Sequence, residues 1–414
     1  MAQLSDDCFA FGGALLTVDA ARAMIADQIG RVDGVEHVAL HEADGRVLAA
    51  DIAAPVDLPP FDNSAVDGYA VRLAELEDGG RLPVLGRLAA GMPAQPLVGG
   101  TAQRIFTGAA LPPGADTVFM QEDVQFDAGH VQLPAGLRPG ANTRPRGEDI
   151  ACGAIALRAG LRLRPQDLAL AAALGITVLP VCRRVRVALF STGDELVEPG
   201  QLPGAAQRFD SNRVLLAAMA RRAGAQVTDL GILPDRLDAI TWALRDAARD
   251  HDLILTSGGV SAGEEDHVRS AVEATGRLVF WRLAVKPGRP VAMGVVGGVP
   301  FMGVPGNPVA AFVTFVQLAR PLIAALAGGV VQPLPTLRVP AAFAYRKKAG
   351  RREYVRVRLR PGPDGTTAAH KHGVDGAGIL TSLTETDGLA ELADDVTVVS
   401  PGDSVAFLPY AVLF

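Results

Sequence analysis

From Arg184 to Ala327 the chain repeats one rhythm, a short apolar run, a turn, then a longer segment with one apolar face. Strands are expected at Val185–Phe190, Gln226–Leu233, Leu253–Thr256 and Arg277–Val285. Helices are expected at Ser211–Ala223, Leu237–Arg249 and Glu265–Thr275, the first capped by Asp210 or Ser211 and ended by Gly224. Val291–Val296 and Val299–Val304 read as a hairpin, and Asn307–Ala327 as a long apolar helix. Strands separated by helices need crossover connections, so this region folds as a doubly wound, mostly parallel sheet.

A chain of 414 residues exceeds one ordinary core, so further domains flank this one. Residues 17–32 read as a helix, capped by Thr17 or Asp19, with Ala21, Met24, Ile25 and Ile29 on one face. Val35–Val56 suggests a strand, a helical turn around Ala43–Ala49 and a second strand. Residues 57–150 are rich in Gly and Pro, with short apolar runs at Leu82–Leu88, Ala102–Thr107, Thr117–Met120 and His130–Leu133, as in a small β-rich domain. Residues 161–180 return to helix, stopped at Gly175, and residues 331–414 alternate with period two, as a small β-domain does.

Composition narrows the function classes. A net charge of −6 argues against a general nucleic-acid binder. Cys8, Cys152 and Cys182 have neither zinc nor disulfide spacing, and Cys182 reads as a buried hydrophobe. The N-terminus lacks the build of a signal peptide, and no run is expected to reach the ~18 apolar residues that would suggest a membrane helix. A cytoplasmic protein that binds neither membrane nor nucleic acid is expected.

In open α/β sheets ligands bind beyond the carboxyl ends of the strands. Here those ends read Ser191-Thr192-Gly193-Asp194-Glu195, Pro234-Asp235, Ser257-Gly258-Gly259 running on to Ser261 and Asp266, Lys286-Pro287-Gly288-Arg289, and Pro305-Gly306-Asn307. Glycines permit close backbone approach, free N–H groups at a helix start attract anions, and a carboxylate such as Asp266 can hold a bridging metal. The expected ligand is a phosphoanhydride with Mg²⁺. Asp194 reads first as a cap for the segment after it, and Asp235 equally as cap or functional group. No Walker loop, G-x-G-x-x-G or G-x-S-x-G occurs.

Outside that region, PPFDNSAVDGYAV at 59–71 is an Asx-turn cluster or a site, residues 142–149 (NTRPRGED) a solvated hinge or a site, and Thr107-Gly108 a turn or a site. RREYVRVRLR at 351–360 reads as a strand with Tyr354, Arg356, Arg358 and Arg360 on a face that is either solvated or a phosphate-steering rim. His37, His41, His370 and His372 are assigned no metal.

Taken in order, PPFDNSAVDGYAV, FTGAALP, RPRGEDI, STGDEL, SGGVSAGEED, KPGRP and GVPGNPVA closely resemble the MoeA-type molybdopterin molybdotransferases, the family that includes the gephyrin E domain. The resemblance spans the whole chain. It implies an α/β multidomain fold: residues 1–56 with 146–180 as an N-terminal linking and dimer domain, 57–145 as an inserted β-rich domain, 181–328 as a doubly wound molybdopterin-binding domain, and 329–414 as a small β-barrel-like domain.

The implied reaction inserts molybdate into adenylylated molybdopterin, with Mg²⁺-dependent release of AMP. The implied assembly is a homodimer, with other cofactor-biosynthesis enzymes as further partners. By that resemblance Glu195 and Asp266 hold the metal, Ser257, Gly258, Gly259 and Ser261 cradle phosphates, and Asp235 lines the nucleotide side. Lys286, Arg282 and Arg289 neutralise phosphate or molybdate, beside Pro305 and Asn307. Asp62, Thr107 and Asp149 face the same cleft from the partner's insert. Arg282 and Arg289 stand where lysine is usual, and Ala377 where some members have a hydroxyl; arginine offers a planar fork rather than a point charge. The competing readings are a non-catalytic molybdopterin-binding scaffold and an adenylylating paralogue, the latter normally without the two flanking β-domains.

Overall fold

An unbroken apolar run makes a strand with two buried faces only if both faces find cover, and the central region supplies it. A computed structural model describes residues 15–76, 80–260, 267–362 and 365–413. The chain forms two compact units, His37–Asp44 with Ala50–Pro180, and Met1–Glu36 and Gly45–Ala49 with Val181–Phe414.

In the larger unit, strands β1 (Arg186–Thr192), β2 (Gln226–Leu233), β3 (Leu253–Ser257), β4 (Gly276–Arg282), β5 (Pro290–Val296) and β6 (Val299–Val304) form one sheet in the order β2-β1-β3-β6-β5-β4. The first three pairings are parallel and the last two antiparallel, so the sheet is mixed. Helices α1 (Ser211–Arg222), α2 (Leu237–Asp250) and α3 (His267–Thr275) cover it. Val187, Leu189, Leu253 and Leu255 pack on one face with Leu216 of α1 and the N-terminal helix Val18–Gln28. Ala188, Phe190 and Ile254 pack on the other with Ile240 and Leu244 of α2 and Val268 of α3. Asp210 caps α1, accepting from the Arg213 amide at 3.1 Å, and Thr17 caps the N-terminal helix.

The segment after α3 departs from expectation. Arg277–Val285 is not one strand, since β4 stops at Arg282. Leu283 donates to the Arg289 carbonyl, and Val285–Lys286 then pairs in parallel with Arg352–Glu353 of a second sheet. The apolar helix runs as α4 (Pro308–Thr314), a π-helical turn at Phe315–Ala319, and α5 (Arg320–Leu326). By length and hydropathy Pro308–Leu326 would suffice to cross a membrane, contrary to the sequence expectation, yet 89% of it is buried inside the protein. It is the central helix of the core, with Ala311, Phe315, Leu318 and Leu322 in contact with the sheet cluster.

The C-terminal strands β7 (Leu337–Pro340), β8 (Arg352–Pro361), β9 (Thr367–Lys371), β10 (Gly388–Leu392) and β11 (Ser404–Pro409) follow the order β8-β10-β11-β7, with β9 on the other side of β8. A bridge between Ala341 and Ala369 joins the end of β7 to β9, giving the barrel-like closure. Val355, Val357, Ala390 and Phe407 fill its interior. The opposite face of β8 is not solvated as one expectation had it: Tyr354 and Arg356 are 1% and 7% exposed, and only Arg358 and Arg360 lie open. Tyr354 packs into the core of the α/β sheet instead.

The smaller unit centres on a six-stranded sheet in the order Thr117–Met120, Gly68–Val71, Ala102–Ile105, Arg81–Leu88, His130–Gln132 and Gln125–Asp127. Tyr69, Val71 and Phe119 fill one face; Ala70, Ile105 and Val118 fill the other. A side chain at Gly68 would place its Cβ 1.9 Å from the Phe119 carbonyl oxygen, so only glycine allows this strand pair to close. The turn expected at Ala43–Ala49 forms at Leu40–Glu42 instead. Val47 and Leu48 are taken by main-chain pairing with Val181–Cys182.

Candidate active site

Four strand ends of the α/β sheet converge. After β1, Thr192 donates its hydroxyl to Asp235 at 3.2 Å, and the Asp235 amide donates to Asp194 at 3.3 Å. Asp194 therefore joins two strand ends and caps no helix. Asp235 is not a cap either, since α2 begins after Arg236 without a side-chain cap. Glu195 stays half exposed; Arg208 meets it twice, through its amide to the Glu195 carbonyl at 2.7 Å and its guanidinium to Oε1 at 2.8 Å. The intervening loop is anchored by Arg213, buried in α1, whose guanidinium bonds Asp210, Asp229 at 2.5 Å, and Glu198. Burial opposes the charge of Arg213, and the three carboxylates outweigh it, so its pKa is raised.

The turn after β3 is built on glycine. Gly258 and Gly259 have φ of 89° and 61°. A Cβ on Gly258 would lie 2.6 Å from the Thr192 carbonyl oxygen, and one on Gly259 2.3 Å from Val268 Cγ2. One expectation needs correction. The Gly258 amide does not face a ligand, because it donates to the Val304 carbonyl at 3.2 Å. Ser257 offers more: its hydroxyl oxygen accepts from Asn212 at 2.9 Å, which leaves its proton to donate elsewhere. The same Asn212 amide donates to the Gly306 carbonyl at 2.9 Å, tying this turn to Pro305-Gly306-Asn307. Asn212 was missed in the sequence; the signal was a polar residue inside the buried face of α1. Ser261 and Asp266 lie outside the described residues.

On the other side of that turn lies a pocket of about 590 Å³ between the α/β sheet and the C-terminal barrel. Lys286, Arg289, Pro305 and Asn307 line it from one side, and Tyr345, Lys348, Arg351 and Arg356 from the other. Arg282 is not among its walls; it ends β4 opposite Pro290 and is exposed. Arg356 donates to Ser382 Oγ and the Gly376 carbonyl, both at 3.0 Å, and burial lowers its pKa. It thereby holds the Asp375–Ala377 wall. Ala377 serves through its backbone, whose carbonyl accepts from the Val309 amide at 3.0 Å. Cations outnumber carboxylates around this space, which suits an oxyanion.

Within the smaller unit, the FDNSAVDGY, FTGAALP and RPRGED segments form one loop cluster. Asp62 accepts from the Arg146 amide at 2.7 Å, and Asp67 accepts from the Thr107 amide at 2.8 Å and hydroxyl at 2.7 Å. These bonds to Thr107 lower the Asp67 pKa. The carboxylates thus tie distant loops together and do not close local Asx turns. Residues 142–149 are pinned as well: Arg146 pairs with Asp57 at 2.5 Å, and the Asp149 amide donates to the Leu58 carbonyl at 3.0 Å. Asp62, Thr107 and Asp149 are all exposed.

Three family models match the chain: the MoeA N-terminal region (domain I and II) at residues 16–175, a probable molybdopterin binding domain at 188–325, and the MoeA C-terminal region (domain IV) at 338–410. The chain is 37% identical to the molybdopterin molybdenumtransferase of Haemophilus influenzae, over 96% of this chain and 99% of that one. The chain belongs to the MoeA family. A second MoeA-family relative, molybdopterin molybdenumtransferase 2 of Mycobacterium tuberculosis, is 37% identical over 88% of this chain and 92% of its own. The fold matches the crystal structure of the molybdopterin biosynthesis moeA protein from Pyrococcus horikoshii OT3, with a TM-score of 0.81 and 29% identity, covering 96% of this chain and 100% of that one. The mixed sheet with its flanking β-domains is therefore the MoeA multidomain fold.

Proposed function

We propose that this protein is a molybdopterin molybdenumtransferase that inserts molybdate into adenylylated molybdopterin and releases AMP. One observation carries the reading: the turn Pro305-Gly306-Asn307 is shared by two sites of different chemistry. Its Gly306 carbonyl is bound through Asn212 to the Ser257 end of the acidic crevice, while Pro305 and Asn307 line the cationic pocket. A phosphoanhydride in the crevice and a tetrahedral oxyanion in the pocket would then lie side by side. The names of the relatives are in keeping with this pairing.

In this reading Asp235 lines the nucleotide side, and the Ser257 hydroxyl donates to a phosphate oxygen. Lys286, Arg289 and Arg356 balance the charge of molybdate. The strand ends offer hard oxygen donors for a metal, Asp194 and Asp235 joined by a hydrogen bond and Glu195 next in the chain. That fits Mg²⁺, which commonly takes one or two carboxylates and completes its shell with substrate phosphate. Glu195 and Asp266 would hold it, and when bound it would offset charge developing on the phosphates. The enzyme acts as a homodimer in which Asp62, Thr107 and Asp149 come from the partner subunit. The free thiols of Cys152 and Cys182 suit a cytoplasmic setting.

The test is incubation of the purified protein with adenylylated molybdopterin, Mg²⁺ and molybdate. AMP release together with reconstitution of an apo-molybdoenzyme is expected. Binding without turnover would favour the scaffold, and ATP-dependent adenylylation of molybdopterin the paralogue.

A further inference from the structure

Lys286 does not stand free at the wall of the pocket. Its ammonium donates to the Tyr345 hydroxyl at 3.1 Å and lies 3.4 Å from Glu353 Oε2. Tyr345 in turn donates to that same Glu353 oxygen at 2.8 Å. Arg351 approaches the other Glu353 oxygen at 2.7 Å. Glu353 itself is 1% exposed and is not a pocket wall. A buried carboxylate behind a cationic pocket is costly unless its partners need it there.

A lysine ammonium has three N–H donors on a flexible stem. Here two of them are directed at Tyr345 and Glu353, so the third is directed away from that pair. Tyr345 is itself a wall of the pocket, so the fixed ammonium lies at its edge. The hydroxyl of Tyr345 has one settled direction, accepting from Lys286 and donating to Glu353. We infer that Tyr345 and Glu353 are positioning residues that hold the Lys286 ammonium ready for the oxyanion. This rests on the reading of the pocket as the molybdate site. Neither residue needs to touch the ligand for this role.

The charges around Lys286 give the inference a sign. Burial works against its positive charge, and the partners Tyr345 and Glu353 outweigh burial, raising its pKa above 10.5. Arg289 on its own loop, Lys347, Lys348 and Arg351 in the segment before β8, and Arg356 on β8 are all cations; Asp375 also lines the pocket. Without the Glu353 charge, burial of Lys286 is opposed by Tyr345 alone of this pair.

Molybdate binding to the whole protein, measured by equilibrium dialysis across pH, tests this. Tyr345→Phe keeps every charge and should weaken molybdate binding roughly tenfold, about the worth of one hydrogen bond and a lysine's rotamer freedom. Its kcat at saturating molybdate should be unchanged. Glu353→Gln should move the pH at which binding is half lost downward by about one unit or more. Lys286→Met, which removes the ammonium altogether, sets the floor. If wild-type protein binds no molybdate, or Lys286→Met binds it equally well, the pocket reading and the inference both fall. If Lys286→Met loses binding while Tyr345→Phe and Glu353→Gln keep the wild-type affinity and pH profile, the positioning role alone is overturned. Lower thermal stability in those two variants with unchanged binding overturns it as well.

Discussion

The side-chain amide of Asn212 donates to Ser257 Oγ at 2.9 Å from the first turn of α1, and with its second hydrogen it holds the Gly306 carbonyl. Two turns from non-adjacent stretches of chain are thereby fixed to one buried group. Asn212→Ala leaves the buried Ser257 hydroxyl and the more open Gly306 carbonyl short of a donor. It should cost about 1–3 kcal/mol of stability and raise KM for adenylylated molybdopterin. Urea unfolding and steady-state kinetics check the two effects separately.

Gly258→Ala should be more damaging than a one-methyl change suggests. Alanine at positive φ costs more than about 1 kcal/mol, and here the methyl also meets the Thr192 carbonyl oxygen at 2.6 Å. Because Thr192 bonds Asp235, displacement of the turn should reach the nucleotide side. AMP release should fall at least tenfold, and the variant should bind AMP more weakly in calorimetry.

Arg356→Met removes a buried cation that also holds the Gly376 carbonyl. The KM for molybdate should rise by roughly tenfold or more, the worth of a charge-assisted hydrogen bond. Arg356→Lys should restore little, since an ammonium cannot span Ser382 and Gly376 as the planar fork does. Unchanged molybdate KM in both variants would remove Arg356 from the site.

Acid should weaken the fold through Asp252. Burial raises its pKa, but Arg183 at 2.7 Å and the Arg186 amide at 2.8 Å outweigh this, and the net pKa lies below 3.8. A carboxylate depressed in the folded state adds stability above its unfolded pKa, and loses it as pH falls from there through the folded value. Denaturant unfolding between pH 6 and 3 should show this decline. The Asp252→Asn variant should be less stable at pH 6 and show a shallower decline.

Dimer complementation tests the proposed homodimer and its shared cleft. Asp62→Ala and Asp266→Ala homodimers should each release little AMP. Mixed dimers carry one intact pairing of subunits and should recover a measurable part of the activity. Absence of any recovery, with mixed dimers shown to form, would mean that Asp62 and Asp266 do not serve one cleft across subunits.

The parts legible in the sequence were those that depend on periodicity and local chemistry. The unbroken apolar runs Val187–Phe190 and Leu253–Leu255 announced a sheet covered on both faces, and glycine at 258–259 announced a turn. The parts that stayed hidden depend on partners far along the chain. Nothing local in Leu283–Lys286 says that it leaves one sheet for another. Nothing in the alternation of β8 tells whether Arg356 meets water or the Gly376 carbonyl. The amide of Gly258 looked available because its acceptor, Val304, lies on a strand that pairs with β3 only after folding.

The short pairing of Val285–Lys286 with Arg352–Glu353, extended by the Arg352 amide bonded to the Ala284 carbonyl, sets the width of the cationic pocket. Two of its walls are thus joined by main-chain bonds as well as by side chains. The backbone frame of that socket is therefore set apart from its charge, so side-chain exchanges at Lys286 or Arg351 retune the charge without cutting a main-chain bond.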